Sequence, residues 1–227
     1  MVTFVGKKIL VVGASGAFGA EFCSQLMAQG ALVAGTARSA ESSVRLRADL
    51  DQRLLLDLEK SESIEQLANY LTELDGVIFA SGLVAFGSIE STPPEVLERL
   101  MKVNALGQMQ LLSRLTPRLK ASAVAGREPF AVTISGVISE QPMAGLSAYS
   151  ASKTALAGFA TAVAKELRKE GISVIDARPG HTESGLASRA IYGTAPNFGV
   201  GKNVEAVVGR ILTGVINGEK DLPSSAF

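Results

Sequence analysis

The chain has 227 residues, 47% of them hydrophobic, which is enough to bury one sizeable core, and nothing in it marks a second domain. Its 22 Lys+Arg balance 22 Asp+Glu with no dense basic run, so neither nucleic acid nor a membrane surface is expected as a partner. The single cysteine, Cys23, excludes an internal disulfide and, inside an apolar helical pattern, reads as a buried thiol suited to a reducing compartment.

The N-terminus reaches Lys7-Lys8 and then an apolar run that stops at a glycine loop. It ends in neither a signal-peptide cleavage site nor a span of ~20 apolar residues, which sets the expectation of a cytoplasmic location. Six short apolar runs read as strands: Ile9–Val12, Leu32–Thr36, Leu54–Asp57, Val77–Ala80, Ala131–Ser135 and Ile172–Ala177. Helical patterns separate them, and that alternation predicts a doubly wound, Rossmann-like parallel sheet in a single domain spanning 1–227. Pro93-Pro94 opens a helix through Met101 that Ser91 or Thr92 is placed to cap, and a longer helical stretch leads to Lys120, with 121–127 as the loop after it. A helix beginning near Ser147 or Tyr149 runs to about Lys169 and is ended by Gly171; a last one covers Asn203–Asn217, after which Leu222-Pro223 closes the sheet edge.

The loop after the first strand reads Gly13-Ala14-Ser15-Gly16-Ala17-Phe18-Gly19 and opens an amphipathic helix. Such a unit lets backbone N–H groups at a helix N-terminus face a pyrophosphate, with glycine where a Cβ would obstruct the approach. Read alone, it is equally a tight strand-to-helix turn.

Tyr149 and Lys153 stand four residues apart, so a helix carries them on one face. An unperturbed phenol, with a pKa of ~10, exchanges protons poorly at neutral pH. Lowering that value by 2 to 3 units requires about 3 to 4 kcal/mol of preference for the phenolate. A positive charge ~4 Å away supplies about 4 kcal/mol at an effective dielectric near 20, so one lysine is enough. Alone, the two residues read first as an ordinary pair on a solvated helix face.

Taken together, in this order and separation, these segments resemble the short-chain dehydrogenase/reductase family from about Lys7 to about Ser184. Gly13, Gly16 and Gly19 look like its glycine-rich cofactor turn in a variant form, with Ala17 where the common form has glycine. Asp57-Leu58 matches the acidic position beside the adenine. Ala80-Ser81-Gly82 stands where many members carry Asn-Asn-Ala-Gly, and Val103-Asn104-Ala105-Leu106-Gly107 resembles the segment bearing a catalytic asparagine. Arg178-Pro179-Gly180 followed by Ser184 resembles the turn near the nicotinamide.

By this resemblance the cofactor-binding set is Gly13, Ser15, Gly16, Ala17, Phe18, Gly19, Arg38, Ser39, Asp57, Leu58, Ala80, Ser81, Gly82, Asn104, Tyr149, Lys153, Pro179, Gly180 and Thr182. The catalytic set is Tyr149, Lys153, Asn104 and Ser135. The implied reaction is hydride transfer between NADP(H) and a carbonyl or alcohol, with Tyr149 as the acid or base and Lys153 lowering its pKa. Lys153 also holds the nicotinamide ribose, and Asn104 supports a water linking the lysine to solvent. The resemblance further implies a homodimer or homotetramer, and it makes 181–200 a short substrate loop.

The chain departs from the family pattern at Gly136, thirteen residues before Tyr149, where a catalytic serine is usual. Either Ser135 reaches the pocket through a local twist at the strand end, or the site works without that hydroxyl. The first is preferred because Gly136 can relax the backbone as a bulge does; Ser139 is a weaker substitute.

For cofactor choice, a carboxylate after the second strand favours NAD(H), but this chain has Ala37 and then Arg38, whose fixed donors suit a 2′-phosphate, with Ser39 as a second contact. NADP(H) is therefore favoured over NAD(H). His181, the only histidine, has no clustered partners and reads as a loop residue bonded to backbone or touching substrate, not as a metal ligand. Two other readings stay open: a non-catalytic NADP(H) sensor or scaffold, and an epimerase or dehydratase on the same fold.

Overall fold

The computed structural model describes residues 2–227. In chain order the elements are β1 (Lys8–Val12), α1 (Ala17–Ala28), β2 (Leu32–Ala37), the single turn α2 (Ala40–Ser43), β3 (Gln52–Leu55), α3 (Ser61–Tyr70) and β4 (Gly76–Phe79). They continue with α4 (Pro94–Met101), α5 (Gly107–Val124), β5 (Phe130–Ile134), α6 (Ser147–Arg168), β6 (Ser173–Ala177) and α7 (Val204–Asn217). The six strands form one parallel sheet in the order β3-β2-β1-β4-β5-β6. Leu222 extends the β6 edge through a parallel bridge to Ala177.

Strand alternation divides the core into two layers. Ile9 and Val11 pack toward Phe22 and Leu26 of α1 and Val207, Val208 and Ile211 of α7. Leu10 and Val12 pack toward Ile64 and Leu67 of α3, Leu111 and Leu115 of α5 and Leu167 of α6. Both faces are covered, so the central strands are mostly apolar on both sides, and that is why they show in the sequence as nearly continuous apolar runs. Cys23 is fully buried in the first layer.

Several boundaries differ from the sequence reading. Strand β3 begins at Gln52, earlier than its apolar run. Neither Ser91 nor Thr92 caps α4: both hydroxyls bond back to the Ser88 carbonyl, and Pro93 takes the N-cap position with no side-chain bond. Helix α5 continues through Val124, absorbing half of the expected loop, because Ser122 turns inward and its hydroxyl donates to Asp75 at 2.6 Å. Between α4 and α5, Lys102–Leu106 form a π-helical turn, a local widening that recurs at functional sites.

Asp75 fastens the end of the sheet where β1 and β4 begin. It is buried and accepts from the Lys8 backbone N–H, from Ser122 and from two nitrogens of Arg127, both at 2.8 Å. Burial alone would push its carboxyl up, but the bonds from Arg127, Ser122 and Lys8 outweigh burial and hold it below the usual carboxylate range. A depressed carboxyl contributes stability that is complete above its unfolded pKa of ~4 and is lost as the pH falls through the folded value. Asp75→Ala is expected to cost about 3 kcal/mol, since it strands Arg127 and Ser122. Chemical denaturation from pH 7 down to 3 should show the wild-type advantage shrinking below pH ~4.

Candidate active site

The cleft lies at the C-terminal ends of β1, β2, β4, β5 and β6, with a volume of about 730 Å³. Its floor is the turn from β1 into α1. Gly13 has φ +84°, and a Cβ there would stand 2.9 Å from the Ser81 backbone, so only glycine lets this turn settle against the loop after β4. The Gly13 N–H donates to Thr36 Oγ1 at 3.0 Å, which ties the turn to β2. Gly16 is the N-cap of α1; no side chain caps it, and no acidic residue stands in the first helical turn. The helix N-terminus therefore offers its backbone N–H groups to the cleft, a fit to a phosphate-bearing ligand.

At the β2 end, the wall holds Arg38, Ser42, Arg45 and Arg99, with Asp57 and Leu58 across from them. Glu59 bonds both Arg99 nitrogens at 3.2 Å and lies 4.0 Å from Arg38. Arg45 has no carboxylate partner among the described residues and contacts the Ser15 carbonyl at 3.4 Å.

Tyr149 and Lys153 stand at the opposite end of the cleft, on the first two turns of α6. The Lys153 ammonium donates to the Ile134 carbonyl at 2.7 Å. Gly82 adjoins it: a Cβ there would be 3.6 Å from Lys153 Nζ and 3.4 Å from Asn104 Oδ1. Burial pushes the Tyr149 phenol up to about 12, and burial pushes Lys153 down to about 8 against the pull of Asp176. The phenol therefore holds its proton across the neutral range, and the expected lowering by Lys153 is not seen, because burial is the sole cause acting on it.

Of the residues singled out from the sequence, Gly13, Ser15, Gly16, Ala17, Phe18, Arg38, Asp57, Leu58, Ala80, Ser81, Gly82, Tyr149, Lys153, Pro179, Gly180 and Thr182 all line this one cleft. Gly19, Ser39 and Asn104 do not. Gly19 sits behind the turn, where a Cβ would meet the Gly13 carbonyl at 2.2 Å. Ser39 is the N-cap of α2 and donates to Glu41 at 2.7 Å. Asn104 is fully buried in the π-helical turn: it accepts from the Leu83 N–H and donates to the Leu83 carbonyl and to Ser152 Oγ, latching the loop after β4 onto α6.

At the end of β5, the Ser135 and Gly136 N–H groups both donate to the Ala177 carbonyl, at 3.1 and 3.2 Å, so a bulge does form there. Ser135 borders the cleft, but its hydroxyl is turned onto a buried partner. That residue is fully buried; it donates to Asp176 at 2.5 Å and accepts from Ser139 at 3.0 Å. Arg45, Ser42 and Arg99 went unread in the sequence. The first two follow Arg38 within one short turn and were within reach of local reasoning, whereas Arg99 arrives through tertiary packing on Glu59. His181 lines the cleft, 3.6 Å from Glu183, with its ring 5.1 Å from that of Phe198.

A glycine-floored cleft at the switch point of a doubly wound parallel sheet defines a dinucleotide-binding protein. The sequence model of the short chain dehydrogenases matches residues 7–192, and the chain belongs to the short-chain dehydrogenase/reductase family of NAD(P)-dependent oxidoreductases. A dehydrogenase/reductase SDR family protein 7-like from Anopheles gambiae is 29% identical over 239 residues, 96% of this chain and 74% of that protein. Among solved structures, a short chain dehydrogenase from Burkholderia cenocepacia in complex with NADP superposes with a TM-score of 0.86 at 20% identity, covering 98% of this chain and 90% of the other. A 3-ketoacyl-(acyl-carrier-protein) reductase from Brucella melitensis complexed with NADH gives 0.87 at 20% identity, with 97% of each chain covered. No helix among the described residues is long and apolar enough to cross a membrane, and those residues hold no metal-binding cluster.

Gly136 has φ +75°, while a Cβ there would meet only the Pro179 carbonyl, at 3.6 Å. Space therefore permits a serine and the backbone resists it. Gly136→Ser is expected to cost about 1 to 2 kcal/mol in an equilibrium unfolding experiment; an unchanged midpoint would mean that the bulge rearranges freely.

Proposed function

We propose that the protein is an NADP(H)-dependent reductase of apolar carbonyl compounds, with Tyr149 as the proton donor. The observation that carries this reading is the convergence of a protonated phenol, a lysine four residues on and a glycine-floored cleft in one continuous space. The nicotinamide supplies hydride when bound; Gly13, Ser15, Gly16, Ala17 and Phe18 are the residues to hold its pyrophosphate, and Lys153 its ribose. Tyr149, protonated at neutral pH, is the group placed to give a proton to a carbonyl oxygen. Lys153, on the same helix face, is placed to stabilise the phenolate that donation leaves. The walls beyond Tyr149, among them Val84, Phe86, Leu146, Leu186 and Ile191, are apolar and exclude water from that end. Tyr149→Phe is expected to leave NADPH affinity unchanged and lower turnover about 10²- to 10⁴-fold on whichever of a panel of aldehydes, ketones, quinones and keto-thioesters proves active.

The phosphate preference draws its support from Arg38 and Arg45 at the β2 end, where Ala37 stands in place of a ribose-binding carboxylate. Glu59 offsets part of that charge by pairing with Arg99 and Arg38. Among the solved relatives, one carries NADP and another NADH, so the choice rests on these side chains. Arg45→Ala and Arg38→Ala are each expected to weaken NADPH binding about tenfold or more while leaving NADH within a factor of about three, read by fluorescence titration. Tighter NADH binding in the wild type would reverse the assignment.

A second reading has one observation in its favour: Gly136 carries no hydroxyl, and the Ser135 hydroxyl is turned away onto Asp176. On that reading the protein binds NADP(H) as a sensor, and it prevails if NADPH binds tightly and the whole panel goes unreduced.

A further inference from the structure

A carboxylate lies buried directly beneath the reacting end of the cleft. Asp176 faces Thr133 across the β5–β6 register, with a side chain 4% exposed. Its Oδ1 accepts from Thr133 Oγ1 at 2.7 Å, and its Oδ2 accepts from Ser135 Oγ at 2.5 Å and from Arg178 Nη1 at 3.1 Å. Between Thr133 and Ser135 stands Ile134, and it is the Ile134 carbonyl that takes the Lys153 ammonium.

We propose that Asp176 is a positioning residue for Lys153: a buried carboxylate, fixed by Thr133, Ser135 and Arg178, whose charge acts on the ammonium held at the Ile134 carbonyl. The inference rests on Tyr149 and Lys153 being the working pair.

The charge count around Asp176 supports the role. Arg178 is the one guanidinium in this cluster, and it is shared among Asp176, Glu140 and Asp221. Three carboxylates around one cation leave an excess of negative charge, and Asp176 brings it to the residues on either side of Ile134, whose carbonyl binds Lys153. Glu140 and Asp221 are 27% and 55% exposed and face solvent that screens them, so Asp176 is the carboxylate whose field reaches Lys153 least attenuated. The other groups beside the ammonium are the Ile134 carbonyl and the Asn104 amide, neither of them charged; Tyr149 and His181 line the same cleft. Burial drives Lys153 down to about 8, and Asp176 is the group that opposes this. A neutral acceptor would hold Thr133 and Ser135 equally well; the charge on Asp176 is met in part by Arg178 at 3.1 Å, which two other carboxylates share. Burying an ionised group is costly without a partner that requires it.

The sign follows directly. Without the carboxylate, the charged form of Lys153 loses its stabilising neighbour and its midpoint falls below about 8, toward neutrality. The experiment is an NMR titration of the full chain labelled with ε-13C lysine, with the Lys153 signal assigned by its loss in Lys153→Arg. Asp176→Asn and Asp176→Ser are expected to lower the Lys153 midpoint by about one pH unit. Ser135→Ala, which removes a hydrogen bond but no charge, should leave that midpoint in place, and Asp176→Glu should restore it. Where NADPH-dependent reduction is measured, the alkaline limb of its pH profile should move down in step. The titration needs no turnover, so a protein that reduces nothing on the panel sinks the reductase reading and leaves this measurement standing. The inference is overturned if a folded neutral variant titrates Lys153 as the wild type does, or if both neutral variants fail to fold, which would make the carboxylate a structural staple after all.

Discussion

The cleft depends on one close approach, the contact between the glycine turn after β1 and the backbone after β4. With Ser81 2.9 Å from where a Gly13 Cβ would be, and the Gly13 carbonyl 2.2 Å from where a Gly19 Cβ would be, two segments of main chain and the first turn of α1 meet without side chains between them. The Thr36 hydroxyl then fixes the turn to β2. This contact sets how far α1 stands from the ends of β1 and β4, and so sets the width of the groove into which Arg38, Ser81 and Gly82 face. A methyl group in either place would push α1 outward, and because the interior is packed to crystal-like density the displacement would spread along the sheet rather than stay local.

The two ends of the sheet are built for different tasks. Where β1 and β4 begin, Asp75 draws in Lys8, Ser122 and Arg127, so strand starts and the end of α5 share one carboxylate. Where the strands end, polar groups are instead spread along the cleft walls, with separate latches: Asn104 ties Leu83 to Ser152, and Arg178 ties β6 to Glu140 and Asp221. Both ends carry a buried carboxylate, Asp75 at one and Asp176 at the other, but only the second lies beside the cleft and next to a glycine at positive φ.

The strands were legible because a parallel sheet covered on both faces demands continuous apolar runs, and Ile9–Val12 or Ala131–Ile134 could serve little else. The glycine turn and the Tyr149/Lys153 spacing were legible for a related reason: each is a local pattern whose chemistry fixes its spacing. What escaped depends on partners distant in sequence. Helix α5 runs past Lys120 because Ser122 finds Asp75, 47 residues before it. The direction of the Ser135 hydroxyl is decided by Asp176, 41 residues later, and no alternation rule reports it. Arg99 reaches the cleft by pairing with Glu59, 40 residues away. Asn104 was recognised as important, yet its burial in a π-helical turn, with its donors spent on Leu83 and Ser152, lies outside what periodicity conveys.

Gly136, Ser135 and Asp176 form one connected arrangement where β5 ends. The bulge sends both the Ser135 and Gly136 N–H groups to the Ala177 carbonyl and leaves residue 136 at φ +75°, which selects glycine there. Ser135 is thereby held in the layer beneath the cleft, where its hydroxyl needs a buried acceptor. Asp176, opposite Thr133 in the register, is that acceptor, and it brings a charge into the layer that carries Lys153. Substituting any one of the three in isolation breaks this consistency: a serine at 136 meets the wrong backbone, an alanine at 135 leaves Asp176 a donor short, and a neutral residue at 176 removes the charge while the bulge persists. Gly136 is therefore better understood as the visible end of a rearrangement centred on Asp176 than as a lost serine.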